Sequence, residues 1–241
     1  MLSKEEIIKL AVQTQTTEEN IAREYVQNVF LSILGKLEGA SKLLFKGGTA
    51  LRLIYKSPRY SEDLDFTGIG ISVKEIEDIL QDIFIGMERS GFKIHLEDAT
   101  VTTGGYLGKI FAEYYTHRVL VKLEISSREK KKTEAETAFV ENDYIPNYLV
   151  YYLPQKILVN EKINALLGRG KPRDYFDAYF ILRNNLLAAE KKERLREVLD
   201  NIEKLKIDFK DELGEFLPRS LHPMIKKFKF TLEQEIRRHI G

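Results

Sequence analysis

Along the first third of the chain, apolar side chains return every three or four positions and are then cut by glycine. That rhythm predicts short helices broken by turns. Ser3 with Glu6, and Thr16 with Glu19, have the spacing at which a hydroxyl and a carboxylate cap a helix start, so two helices are expected to open the chain. In the second, Ile21, Tyr25, Val29 and Ile33 share one face, and Gly35 or Gly39 should end it. A short apolar run at 43–45 stops at Gly47-Gly48. Residues 49–56 resume helical spacing through Leu51, Ile54 and Tyr55 until Ser57-Pro58 breaks it. Residues 63–67 alternate charged and apolar, as a strand with one buried face does.

Helical spacing returns over 73–89, with Ile76, Ile79, Leu80 and Ile83 as its stripe. Strand-like segments follow at 92–96, 107–114 and 118–126, the first two separated by a turn at Gly104-Gly105 and the last two by one at Thr116-His117. The charge run 128–132 reads as a solvated loop or strand extension, and 147–153 as an apolar, tyrosine-rich connector. From Pro154 onward nearly every pattern is helical, including the stripe Leu195, Val198, Leu199, Ile202 and Leu205. The expected organisation is a first domain over 1–145 and an α-helical domain over 146–241.

Composition narrows the class. At 241 residues, 43% hydrophobic and 31% charged, this is an ordinary globular chain long enough for a sizeable core. Lys4, Glu5, Glu6 and Lys9 leave no apolar leader, and no stretch reaches a membrane span, so a cytoplasmic protein without a membrane partner is expected. The absence of cysteine excludes disulfides, thiolate zinc sites and a cysteine nucleophile. Net charge is +1, which does not by itself advertise a nucleic-acid partner. The "KKFKF" stretch at 226–230 interleaves basic and aromatic residues, yet such a run is more often an amphipathic element.

The chemistry concentrates in "FKGGTALRLIYKSPRYSEDLDF", residues 45–66. Side chains at i and i+2 of a strand point the same way, so Asp63 and Asp65 should project together while Leu64 and Phe66 enter the core. Two adjacent carboxylates repel unless a hard cation joins them, and magnesium, or manganese in its place, suits oxygen ligands. Gly47-Gly48, between a strand and a helix start, would let backbone N–H groups approach a phosphate. Alone, an Asp-x-Asp is usually surface charge and a Gly-Gly usually a turn. In this order, with one helix between, they predict a nucleoside triphosphate site.

"KGGTALRL" followed by "RYSEDLDF" closely resembles the AbiEii/AbiGii nucleotidyltransferase toxins of the DNA polymerase beta-like superfamily. "VKLEIS" at 121–126 resembles the strand bearing the third carboxylate, here Glu124. "LVNEKINALLGRGKPRDYFDAY" at 158–179 resembles the family's Glu-Lys helix and Arg-Asp-x-x-Asp motif. The resemblance implies an α+β fold: a polymerase-beta-like core, with a mixed sheet flanked by helices, followed by an α-helical C-terminal domain. It implies Asp63, Asp65 and Glu124 as metal ligands or catalytic acids, Lys162 on the nucleotide phosphates, and Arg173 with Asp174 or Asp177 completing the site. Lys46, Gly47, Gly48, Thr49 and Ser61 fall in the nucleotide-binding motif, and in related toxins the corresponding serine can be a modification target.

The residues also admit plainer readings. In "RVLVKLEIS", Val119, Val121 and Leu123 face one way and Leu120, Lys122 and Glu124 the other, so Glu124 is either ion-paired near Lys122 or functional. Lys162 falls near the edge of a helix whose apolar side is Ile157, Leu158, Ile163, Leu166 and Leu167, where a lysine usually just meets water. Pro172 suits a helix start, Asp174 could serve its dipole, and Asp177 could pair with Arg173. By likeness, the function expected is nucleotide transfer to the 3′ end of transfer RNA by a toxin with a cognate antitoxin. Transfer to a protein hydroxyl, or a non-catalytic nucleotide- or partner-binding module, stay open beside it.

Overall fold

The computed structural model describes residues 1–128, 133–187, 193–203 and 207–240. The chain divides into two compact units: residues 1–56 with 60–154, and residues 57–59 with 155–241.

In the first unit, α1 (Lys4–Gln13) opens on the expected capping box: the Glu6 N–H donates to Ser3 Oγ at 3.2 Å and the Ser3 N–H donates to Glu6 Oε2 at 2.7 Å. The next helix, α2 (Glu18–Leu34), is capped one residue later than expected, by Thr17, which accepts from the Asn20 N–H at 3.2 Å. Burial goes beyond the expected stripe, because every residue from Asn20 to Leu31 is shielded, including Arg23, Glu24, Gln27 and Asn28. A helix buried all round must satisfy its polar side chains internally: Asn20 donates to Thr16, Asn28 accepts from Tyr148, and Glu24 and Gln27 bond to the motif described below.

Then come β1 (Leu43–Lys46), α3 (Gly47–Leu53), β2 (Asp63–Ile69), α4 (Val73–Arg89), β3 (Lys93–Thr102), β4 (Gly105–Tyr114), β5 (His117–Arg128), β6 (Glu136–Val140) and β7 (Tyr148–Tyr152). They form one mixed sheet of seven strands in the order β3-β4-β5-β2-β1-β7-β6. The segment read as a connector is therefore a strand, β7, pairing parallel to β1 through Phe45 and Tyr152. That pairing carries the first unit to Pro154 rather than to residue 145. From the charge run, Arg128 ends β5 and the remaining residues lie outside the described ones.

The second unit is helical: α5 (Gln155–Gly168), α6 (Pro172–Arg183), α7 (Glu193–Glu203), α8 (Phe209–Phe216), α9 (His222–Ile225) and α10 (Phe228–Ile240). Its core gathers Phe176, Phe209, Leu213, Phe228 and Leu232, with the Phe209 and Phe228 rings 4.9 Å apart. Leu195, Val198 and Ile202 join that core as expected, with Leu199 packed against it, whereas Leu205 lies outside the described residues. No helix among the described residues is long and apolar enough to cross a membrane.

Candidate active site

Strands β2 and β5 run parallel, with Asp65 paired to Glu124 and Asp63 to Lys122. Partners in register point to the same side of a sheet. One face therefore takes Leu64, Phe66, Leu123 and Ile125, each no more than 2% exposed, and the other carries Asp63, Asp65, Lys122 and Glu124. On the antiparallel side Lys46 of β1 pairs with Asp65 and lies on the same face. Its ammonium donates to Ser126 Oγ at 2.9 Å, and that hydroxyl stands 3.4 Å from Thr67 Oγ1. Two acids of β2 and one of β5, distant in sequence, thus share one face of adjacent strands. Glu124 is exposed, not a shielded charge that needs a partner.

The glycine motif is built around one of these acids. Gly47 adopts a left-handed backbone, φ +82°, and a Cβ there would stand 1.9 Å from Asp65 Oδ2. Only glycine allows both the turn and the carboxylate. Thr49 is fully buried, and its hydroxyl donates to the Asp63 carbonyl, fastening the start of α3 to the start of β2. From α2, the Gln27 side-chain amide donates to the carbonyls of Ser61 and Glu62, each at 3.0 Å. Glu24, one turn earlier, accepts from Arg52 of α3 and from the Tyr144 hydroxyl, the latter at 2.7 Å. The two residues before Asp63 are thus clamped from behind by a helix.

Asp63 Oδ1 is buried and has no hydrogen-bond partner among the described residues. A shielded carboxylate oxygen without a donor is costly, and a cation would satisfy it. Among the described residues no three His, Asp or Glu side chains stand together as a finished cage. Magnesium does not require one, since it commonly takes one or two carboxylates and completes its shell with water and substrate phosphates. Asp63 and Asp65 fit that donor set.

The second unit contains a separate charged cluster. Asp177, 1% exposed, accepts from Arg59 Nε at 2.9 Å, from a second Arg59 nitrogen at 3.1 Å and from Lys162 Nζ at 2.7 Å. Burial pushes the Asp177 carboxyl up, but Arg59 and Lys162 outweigh it and hold the carboxyl down at about 2. Lys162 is itself buried at 9% exposure, not the solvated edge lysine of the plainer reading. Asp174 is fully buried, gripped by Arg169 at 2.8 and 2.9 Å and by the Lys171 N–H at 3.1 Å. It caps α6 and closes the Arg169 turn. Arg173 does not meet Asp177; its Nε lies 3.9 Å from Glu212.

Arg59, Gln27 and Glu24 had no role in the sequence reading. Arg59 sits inside the quoted motif, but its partner is 118 positions away. Gln27 and Glu24 left a fainter mark: polar residues at 20, 23, 24, 27 and 28 interrupt a helix whose other positions are mostly apolar.

A family model described as "Nucleotidyl transferase AbiEii toxin, Type IV TA system" matches residues 29–237. Among solved structures, JHP933 from Helicobacter pylori aligns with a TM-score of 0.64 at 20% identity, covering 93% of each chain. A candidate nucleotidyltransferase, also from H. pylori, aligns with a TM-score of 0.64 at 20% identity, over 93% of this chain and 96% of that one. At that identity the two show a shared fold. No curated protein sequence matches the chain.

Proposed function

The chain belongs to the AbiEii nucleotidyl transferase toxin family, and from that membership we propose that it moves a nucleoside monophosphate from a nucleoside triphosphate to the 3′ hydroxyl of a transfer RNA, using magnesium or manganese. Nucleotide transfer and a toxin's role come with the family, as does an antitoxin partner. The cation, the triphosphate and the RNA acceptor are our reading. The observation that carries it is the buried, partnerless Asp63 Oδ1 on the sheet face shared with Asp65 and Glu124.

When bound between Asp63 and Asp65, the cation would neutralise the triphosphate and make the α-phosphorus more open to attack. The protein's own groups do the rest. Gly47 lets the Asp65 carboxylate sit against the backbone at the start of α3, where we assign the Gly47-Gly48 turn to the phosphates, and Lys46, on the same face, adds a positive charge. Glu124, one strand from Asp65, is assigned as the base that takes the proton of the attacking hydroxyl. Thr49 and Gln27 act behind these groups by fixing the backbone at 61–63. Ser61 lies in that clamped segment, so phosphate on its hydroxyl would set added negative charge close to Asp63 and repel the triphosphate. Likeness assigns Lys162 to phosphate binding, and Asp177 anchors its ammonium. We assign Asp174 to capping α6 and give it no part in the chemistry.

The test is incubation with each of the four labelled nucleoside triphosphates, magnesium, and either total RNA or total protein. Label is expected in transfer RNA, and to be absent with Asp63→Ala. Label in protein alone would overturn the acceptor, and triphosphate binding without pyrophosphate release would overturn catalysis.

A further inference from the structure

The sheet face that bears the acids does not end at β5. In the β4–β5 register Leu107 stands opposite Glu124, Lys109 opposite Lys122, Phe111 opposite Leu120 and Glu113 opposite Arg118. The reverse side of these strands is shielded, with Ile110, Ala112, Val119, Val121 and Leu123 all buried. The acid-bearing side is open: Lys109, Lys122 and Arg118 are exposed, and Leu107 is 43% exposed.

Two features of this face are unusual for bare protein. Lys109 and Lys122 are direct cross-strand partners of like charge, an arrangement that destabilises a sheet unless an anion lies over it. Asp98 lies 3.9 Å from Lys109, and Asp63, in register with Lys122, is the acid assigned to the cation. One step further along, the exposed Arg118 has its guanidinium carbon 4.0 Å from the centre of the Phe111 ring and its Nε 3.3 Å from Glu113. A flat cation on a ring is a platform for a nucleobase, and paired lysines are a seat for a phosphodiester. Both lie on one continuous face with Glu124, the assigned base.

We propose that the open face of β4 and β5 is the track for the acceptor strand: phosphates of a single-stranded RNA 3′ end cross Lys109 and Lys122, and a base stacks on Arg118. The proposal rests on the RNA-acceptor reading above and adds where the acceptor lies. Lys122 borders the cation site, in register with Asp63, but Lys109 and Arg118 lie beyond it on β4 and at the start of β5, which is why we assign the face to RNA and not to the triphosphate. No covalent step is added.

The test compares the full-length protein with Lys109→Gln/Lys122→Gln. A control, Lys4→Gln/Lys9→Gln, removes equal charge from the exposed side of α1. Binding of a fluorescein-labelled single-stranded RNA with a free 3′ hydroxyl is followed by anisotropy across a salt series. Each phosphate contact contributes a slope of about 0.7 for a single strand, so the double variant should lose about 1.4 and bind about 25-fold more weakly at 0.1 M salt. Affinity for the nucleoside triphosphate should be unchanged in Lys109→Gln alone, and the control should match the wild type. An unchanged slope, an equal loss in the control, or wild type that binds no RNA at low salt overturns the track. Lysine-dependent RNA binding in a protein that labels no RNA would uphold the track and sink the transfer reading.

Discussion

Asp65 occupies the space that a side chain at Gly47 would take: Oδ2 lies 1.9 Å from the position of a Cβ there. Gly47→Ala must therefore displace the carboxylate or the turn, and it also puts an L residue at φ +82°. The backbone cost is about 1–2 kcal/mol. Displacing a reacting constellation by about 1 Å can cost about 100-fold in rate. We expect Gly47→Ala to fold, to melt slightly earlier, and to lose at least that much nucleotide transfer. Retention of full transfer would show that Asp65 is not held by this contact.

Asp63 should respond to cations before any substrate is added. Its buried Oδ1 has no donor among the described residues, so magnesium is expected to raise the melting temperature of the wild type. Asp63→Asn removes that charge and should abolish the shift, while transfer falls by more than the roughly 100-fold typical of outer-shell partners of metal ligands. Differential scanning fluorimetry with and without magnesium reads the first effect independently of activity. Equal shifts in both proteins would remove the cation from Asp63.

Much of this site can be read in the linear sequence because its geometry is local. The alternation around Asp63–Ile69 and His117–Arg128 fixes which side chains share a face, and the diglycine marks the turn. The register that sets Glu124 beside Asp65 is a pairing between distant strands, and local patterns cannot supply it. The same holds for Arg59, which local patterning shows only as a cation in a loop, since the acid it grips lies on α6. The strand β7 escaped notice because its Tyr-rich run, Tyr148–Tyr152, neither alternates clearly nor carries turn residues inside it. α2 misled in the other direction: one apolar stripe predicts one buried face, yet the helix is enclosed on all sides.

Gln27 links that enclosed helix to the motif. Its amide meets the carbonyls of Ser61 and Glu62, both at 3.0 Å, and Gln27→Ala would leave both without this donor. The loss should be about 1–3 kcal/mol in chemical denaturation. Because those carbonyls precede Asp63, the magnesium dependence of transfer should also move to higher concentration. Gln27→Glu, which keeps the length but sets a shielded carboxylate against two carbonyls, should lose more stability than alanine. A stability loss with unaltered magnesium dependence would make Gln27 a structural residue only.

Asp177 gives the pH prediction. Buried among Arg59 and Lys162, its carboxyl is held at about 2 against an ordinary value of 3.8. A carboxylate whose folded pKa is depressed contributes stability fully present above the unfolded value and lost as pH falls through the folded one. The Asp177 contribution should thus be intact at neutral pH and decline between about 4 and 2. From that shift alone the acid-labile part is about 2 kcal/mol. Asp177→Asn goes further at pH 7, because it leaves two shielded cations facing each other without their anion, a loss of about 3–5 kcal/mol. Urea denaturation of both proteins from pH 7 to pH 2 checks this: the gap between them should be widest near neutrality and narrow as the wild-type carboxylate takes up its proton. A gap that stayed constant with pH would mean that the carboxylate's charge is not what holds Arg59 and Lys162 together.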